Sequence, residues 1–576
     1  MNRNRLRLLA VAAILLVLCV SGVSAQTWTK ELANGVTLTQ IIKSPSGPED
    51  TTPPMVINIL KVDPKVPGVR VQAVLGHDKV HGDSLDKGQE TVGSMVTRVQ
   101  AVAAVNGDFY KWIGDPSGLY VSRAELISEP HPRRTVFGVT SDGEFLFDRL
   151  ELDAKVTLPE GKWFPIRGIN RARKQHELVA YTSKFFTSTT TSPEGSEAVI
   201  TTSDLPVRLG VPIKGAVSEA RSNSGDTLIP EGAIVLSGAG TGQKFVDEHL
   251  KPGAAVSIEF NVKPSSTTGW EKVVEAVGGT PRLIRNGKIS VEVEQEGGQP
   301  GFYARTHPRT AIGVTADGKL VLVTVDGRQS ISAGMKLSDL AKLMQSQGCV
   351  EALNLDGGGS TTMAAWFGVL NSPSGGIMRE VANGLAVFAD DELIEVDANL
   401  ELGISPLNEP IESGTTAQLA LLDAATGEPL NADLANRAIW SATGGMGFVD
   451  QSGRVYGIKA REGEVAAKLG SRIARIPVKT VAGPASTLTA TLEADATGTP
   501  NRSTLVVSVT DLNDNSVQGQ QVSVRVVGGT SDQASLTTAQ DGKASTGITW
   551  DAAPGTQARV TVTAGELAPV VVQRAT

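Results

Sequence analysis

The 576-residue sequence predicts an α+β domain, a mixed sheet with few helices, followed by small all-β sandwiches. Three observations predict it. From Met55 to about Ala389, apolar runs ending at glycine-rich turns alternate with only a few segments of helical spacing. Two stretches, HPRRTVFGVTSDGEFLF at 131–147 and HPRTAIGVTADGKLVLV at 307–323, each place an Asp-Gly turn between apolar strands, a strong hairpin signal. After about Asp391 the texture changes to short Val/Thr/Ala strands at regular spacing, the pattern of antiparallel sandwiches.

Along the chain, Arg3, Arg5 and Arg7 precede an apolar run from Leu8 to Val20 and the small-residue stretch Val23-Ser24-Ala25. That pattern is a cleavable secretory signal over residues 1–25. The mature protein is then expected outside the cytoplasm, secreted or in the cell envelope. Cys19 follows Leu18 rather than a small residue, which argues against lipidation there. Residues 26–54 read as a lead-in with a loop over 44–54, and residues 55–390 as the main domain. A Thr/Ser/Gly/Val-rich stretch at about 155–265 reads as an inserted β subdomain. Residues 391–482 and 485–576 form the two sandwiches, with Pro484 at their seam. Ser338 is the expected N-cap of a helix carrying Leu337, Leu340, Ala341 and Met344, with Gly348 at its end. A second helix is expected over roughly Thr91 to Gln100.

Composition narrows the function. A net charge of −8 and a pI near 5.5 do not suit a nucleic-acid-binding face. No stretch after the signal is apolar enough for a membrane helix. The two cysteines are Cys19 and Cys349, so the mature chain has no intrachain disulfide, and Cys349 is expected as a small buried residue.

Three strands end in chemistry-bearing residues: 102–105 runs into Asn106-Gly107-Asp108, 320–325 into Asp326-Gly327-Arg328, and 350–355 into Asp356-Gly357-Gly358-Gly359-Ser360-Thr361-Thr362. Three carboxylates at strand ends can meet at one sheet edge. Asp142-Gly143 and Asp317-Gly318 are plain turns, and Asp326-Gly327 could be one too. A turn does not need three glycines, whereas such a run lets a phosphate or sugar approach the backbone. Arg282, Arg309 and Arg328 could grip a phosphodiester bidentately or form structural ion pairs. His307 could serve as an acid-base group or as a scaffold.

These residues resemble the phosphodiester glycosidase family. The resemblance rests on NGDFY, GGTPRLIRNG at 278–287, HPRTAIGVTADGK, VDGR, ALNLDGGGSTTM and VANGLAVF at 381–388, in that order, and covers roughly residues 55–390, including INRARKQHELVAYTSKF at 169–185. It implies hydrolysis of a sugar-1-phosphodiester at the anomeric carbon in a cell-envelope or exopolysaccharide setting. A lysosomal relative removes N-acetylglucosamine from such a diester. The implied catalytic group is Asp356, Asp326, Asp108 and His307. Asn106, Arg282, Arg309, Arg328, Gly357, Gly358, Gly359, Ser360 and Thr361 would bind substrate. The family's first motif commonly reads Asn-Gly-Gly-Phe, and Asp108 stands at its second Gly, which shifts weight to Asp356 and Asp326. The two tail modules resemble bacterial Ig-like domains, the second those of invasin-type proteins. They carry no active-site constellation, so spacing, docking to the envelope or stability are their expected roles, and truncation after about residue 390 should keep activity.

Two other readings remain open. One is a phosphodiesterase cleaving P–O, with its aspartates and Asn106 around Ca²⁺ or Mg²⁺. The other is a non-catalytic polysaccharide- or wall-binding protein.

Overall fold

The computed structural model describes residues 24–45, 50–82, 88–111, 113–390, 396–397, 399–495, 498–499, 501–551 and 558–574. The expected signal peptide, apart from Ser24 and Ala25, lies outside the described residues, as does Cys19. Among those described, no helix is long and apolar enough to cross a membrane.

Strands dominate and helices are few and short. An eight-stranded sheet, antiparallel throughout, runs Ser24–Ala33, Val36–Ser44, Met55–Val62, Leu320–Val325, Arg309–Thr315, Cys349–Asn354, Arg282–Arg285, Lys288–Ile289. Its central strands are apolar on both faces because both are covered. Leu320 and Leu322 point into the main core with Leu60, Ile312 and Leu353. Val321, Val323 and Val325 pack beneath the helix Leu337–Ser346, through Leu337, Leu340, Ala341 and Met344. That helix begins two residues earlier than its expected N-cap implies. Lys336, with no side-chain capping bond, takes the cap position held for Ser338. Burial of Leu337 outweighs a hydroxyl cap, which contributes about 1 kcal/mol. The second expected helix forms over Val92–Val99 and is capped by Thr91, whose Oγ1 accepts from Ser94 N at 3.2 Å.

Both predicted hairpins form, Thr135–Thr140 with Phe145–Thr157 and Arg309–Thr315 with Leu320–Val325. They turn at Gly143 and Gly318, whose φ of +83° and +86° only glycine adopts readily. The first hairpin belongs to a twelve-stranded sheet that also holds the strands of 155–265. Phe145–Thr157 joins the two parts: Phe145–Arg149 pairs with Thr135–Thr140, and Leu150–Thr157 pairs with Ala255–Pro264. Cys349 is buried and unbridged against Met344, its thiol pushed by burial up to about 12.

The first tail module is built into the main domain. A nine-stranded sheet runs from Arg70–Leu75 through Asn383–Phe388, Ala103–Asn106, Met363–Ala365 and Gly368–Val369 into Ile439–Thr443, Glu462–Leu469, Arg472–Val481 and Ile411–Glu412. The crossing point is Val369 beside Ala442. Lys30, buried, donates to the carbonyls of Ala438 and Gln451, and Phe448 packs on Ile42 and Val56. The second tail module consists of two four-stranded sheets around Leu505, Val507, Ile548, Trp550 and Val560.

Candidate active site

Antiparallel pairing brings three strand termini to one edge of the eight-stranded sheet. Arg309 lies opposite Val325, and Ala311 opposite Asn354. Asp326, Arg309 and Asp356 therefore leave the sheet together. Asp108 arrives from the nine-stranded sheet, and the two sheets are tied where Asp356 N donates to Gly107 O (2.9 Å) and Asn106 Nδ2 donates to Asp356 O (2.6 Å). Asn106 Oδ1 accepts from Thr310 Oγ1 and Thr362 N. Asn106 is thus a fully buried clamp, with its side chain occupied by the protein.

A cleft of about 1180 Å³ opens at this edge. Asp356, half-buried, lies in its lining with Phe109, Tyr110, Arg328, Gly359 and Arg379. Burial pushes the Asp356 carboxyl up to about 6, against the Ser360 hydroxyl, the Gly357 amide and the charges of Arg379 and Arg134. Asp108 is buried beside it. Its Oδ2 accepts from Gly118 N at 2.7 Å, and Oδ1 has no hydrogen-bonded partner among the described residues. Burial raises Asp108 to about 7, opposed by Arg134 and reinforced by the charge of Asp356. A Cβ on Gly278 would come within 2.5 Å of Asp108 Oδ2, which explains the glycine in GGTPR: the carboxylate packs on bare backbone.

The glycine run has a role different from the expected one. Gly357 N donates to Asp356 Oδ1 and Gly358 N to Pro308 O, so two of the three amides are taken within the protein. Instead, two guanidinium groups lie against the run. A Cβ on Gly358 would meet Arg328 Nη2 at 3.1 Å, and one on Gly359 would collide with the Arg379 guanidinium. Arg328, at φ +61°, adopts a left-handed conformation that costs a side-chain-bearing residue about 1 kcal/mol or more and that recurs at functional sites. Two exposed, planar cations lining the same cleft as a carboxylate suit a phosphodiester.

Other expected site residues are placed elsewhere. Asp326 is fully buried behind the cleft, Oδ1 accepting from Asn371 Nδ2 (2.7 Å) and Oδ2 from Ser372 N (2.8 Å). It anchors the start of the loop whose residues 374, 375 and 377–379 form one cleft wall. Arg309 donates to the carbonyls of Met335 and Arg305. Arg282 pairs with Glu351 and donates to Phe147 O. Both were candidate phosphate ligands, and both side chains are drawn into buried scaffold contacts. His307 Nδ1 lies 3.3 Å from Arg328 Nη2, and burial, then Arg309 and Arg328, hold its imidazole below the ordinary value. Ser360 is buried beside Asp356, and Thr361 is buried with its hydroxyl unpartnered among the described residues. No three His, Cys, Asp or Glu side chains among the described residues are grouped as a metal-ligand set.

Arg379, Tyr110 and Arg134 were not singled out from sequence. Tyr110 lines the cleft, its hydroxyl donating to Glu380 O at 3.0 Å. Arg134 lies 5.3 Å over the Phe109 ring. Arg134-Thr135 occupies the place in the first hairpin that Arg309-Thr310 occupies in the second, a correspondence legible in the repeat itself. Arg379 follows an irregular glycine-containing loop and left no periodic signal.

The buried Asp326 makes a stability prediction. Burial pushes its carboxyl up to about 7, well above the ordinary carboxylate range. A carboxyl whose folded value is raised stabilises most below its unfolded value, and that contribution is lost as pH rises towards the folded value. Asp326→Asn loses one acceptor, so it should cost about 1–2 kcal/mol in urea unfolding at pH 5. At pH 8 it should match wild type more closely. An unchanged pH dependence would contradict this placement of the titration.

Residues 208–388 match the sequence model of the phosphodiester glycosidase family. Over 87 residues the chain is 45% identical to an uncharacterised SPbeta prophage-derived protein of Bacillus subtilis, covering 15% of this chain and 14% of that protein. Over 180 residues it is 28% identical to the N-acetylglucosamine-1-phosphodiester alpha-N-acetylglucosaminidase of Mus musculus, covering 26% of this chain and 35% of that one. The chain thus spans about a third or less of these relatives' own length. A solved structure from Burkholderia pseudomallei shares the fold, with a TM-score of 0.54 and 20% identity over 64% of this chain and 97% of that one.

Proposed function

From the match of residues 208–388 to the phosphodiester glycosidase family, we propose that the chain hydrolyses the glycosidic bond of a sugar-1-phosphodiester, with α-linked N-acetylglucosamine as the first sugar to test. The observation that carries the reading is the pairing, in one cleft, of a carboxylate, Asp356, with two guanidinium groups, Arg328 and Arg379, laid on the glycine run.

In this mechanism Arg328 and Arg379 hold the phosphate. Asp356 takes a proton from a water that adds to the anomeric carbon. The C–O bond breaks, and its electron pair leaves on the phosphate monoester, whose growing charge the two arginines stabilise. A phosphate monoester is a good leaving group, so Asp108 contributes less, as a hydrogen-bond donor beside the reacting centre. Asn106 positions Asp356 through its backbone, and Asp326 positions the wall that carries Arg379.

The two carboxyls titrate as a neighbouring pair, near about 6 for Asp356 and about 7 for Asp108. Turnover should therefore peak between these values, with Asp356 ionised and Asp108 protonated. Asp108→Asn should flatten the alkaline limb and keep the acid limb; a pH–rate profile with both limbs unchanged would remove Asp108 from the mechanism. Incubation with UDP-GlcNAc and with a simple GlcNAc-1-phosphodiester tests the reaction itself. Free sugar is expected, and sugar phosphate would move the cut to P–O. Export, an envelope or exopolysaccharide substrate, and an Ig-like identity for the tail modules belong to the same proposal. Export rests on the basic-apolar N-terminus, the substrate setting on the family resemblance, and the Ig-like reading on the regular strand spacing.

A further inference from the structure

A second cleft, of about 740 Å³, lies beside the first. Arg134 joins them: it lines the second cleft, and its guanidinium sits over Phe109, which lines the first. The charge of the second cleft is one-sided. Lys111 is balanced by Asp115, and Arg171 in the wall is committed to Glu129 and Glu177. Arg167 and Lys174, with Arg134 whose charge also reaches Asp108 and Asp356, then face one further lining carboxylate, Glu151. Arg167 and Lys174 are exposed, and no ion pair among the described residues holds either. The excess is felt at His131 in the same lining: burial, then Arg134, Arg133 and Lys111, hold its imidazole below the ordinary value. The first cleft alone already exceeds the roughly 300–1,000 Å³ of a small-ligand site, so together the two suit an extended substrate.

We propose that the second cleft binds a further phosphate of the same substrate, which is a chain of sugars or polyols joined by repeating phosphodiesters. One phosphate sits at Arg328 and Arg379, and another at Arg167 and Lys174, with Arg134 between them. This deepens the proposed function and rests on the reading of the first cleft as the place of cleavage. A cationic groove raises the local concentration of a polyanion and discriminates it from a single diester, an advantage that salt screens.

The full chain and its R167E/K174E variant test it on two substrates: one GlcNAc-1-phosphate unit closed as a methyl diester, and an oligomer of such units joined by phosphodiesters. At low salt, wild type should show a kcat/KM on the oligomer about tenfold or more above that on the single unit. The variant should lose that advantage and keep its rate on the single unit. Equal rates of variant and wild type on the oligomer would overturn the proposal. If neither substrate is cleaved, the cleavage reading fails separately, and calorimetry with an uncleavable poly(glycerol phosphate) decides the site. Binding about tenfold weaker in the variant supports it, and equal binding overturns it.

Discussion

Asp356→Asn should leave the protein folded and reduce turnover about a thousandfold, the scale of a lost general base. Asparagine keeps the volume and the oxygen that accepts from Gly357 N, and the backbone ties of residue 356 to Gly107 and Asn106 do not involve its side chain. Removal of a partly buried charge relieves desolvation, so the melting temperature should hold or rise. The loss should appear in kcat with KM little changed, because Arg328 and Arg379 still bind the phosphate. A large rise in KM at constant kcat would instead make Asp356 a binding group.

Truncation after residue 390 should abolish activity and lower stability by several kcal/mol, against the expectation that the sequence alone supports. The cut removes Ile439–Thr443 from the edge of Gly368–Val369 and leaves the buried Lys30 without Ala438 O and Gln451 O. It also uncovers Ile42 and Val56 where Phe448 packed; each such side chain contributes about 1.5–3 kcal/mol by burial. These losses are large beside a total stability of about 5–15 kcal/mol. The cleft wall suffers directly, because Gly376 lies against Gly445 and Lys459 of the first tail module. The second module reaches the neighbouring loop, where Ser330 Oγ donates to Asn513 Oδ1 at 2.7 Å. Thermal unfolding and turnover of the 26–390 fragment check this. Full activity with an unchanged melting temperature would restore the tail to a spacer.

Local signals carried the hairpins, the two helices and the strand-end motifs, because turn chemistry and apolar spacing are written in contiguous residues. The site was legible as far as Asp356, Arg328 and the glycine run. Which arginine reaches the cleft was not, since Arg282 and Arg309 look equivalent to Arg328 until Glu351 and the carbonyls of Met335 and Arg305 claim them. Asp326 misled for the same reason: its strand end shares the edge with Asp356, but the loop at Asn371 and Ser372 closes over it. The joining of the tail to the main sheet through Val369 depends on a single residue pair 73 positions apart, which no local pattern encodes.

Cleavage in heavy-oxygen water tests the central claim most directly. With a GlcNAc-1-phosphodiester as substrate, the label should appear on the anomeric hydroxyl of the released sugar, with an unlabelled phosphate monoester. Label on phosphate would show that the P–O bond is cut and that Asp356 serves a different reaction.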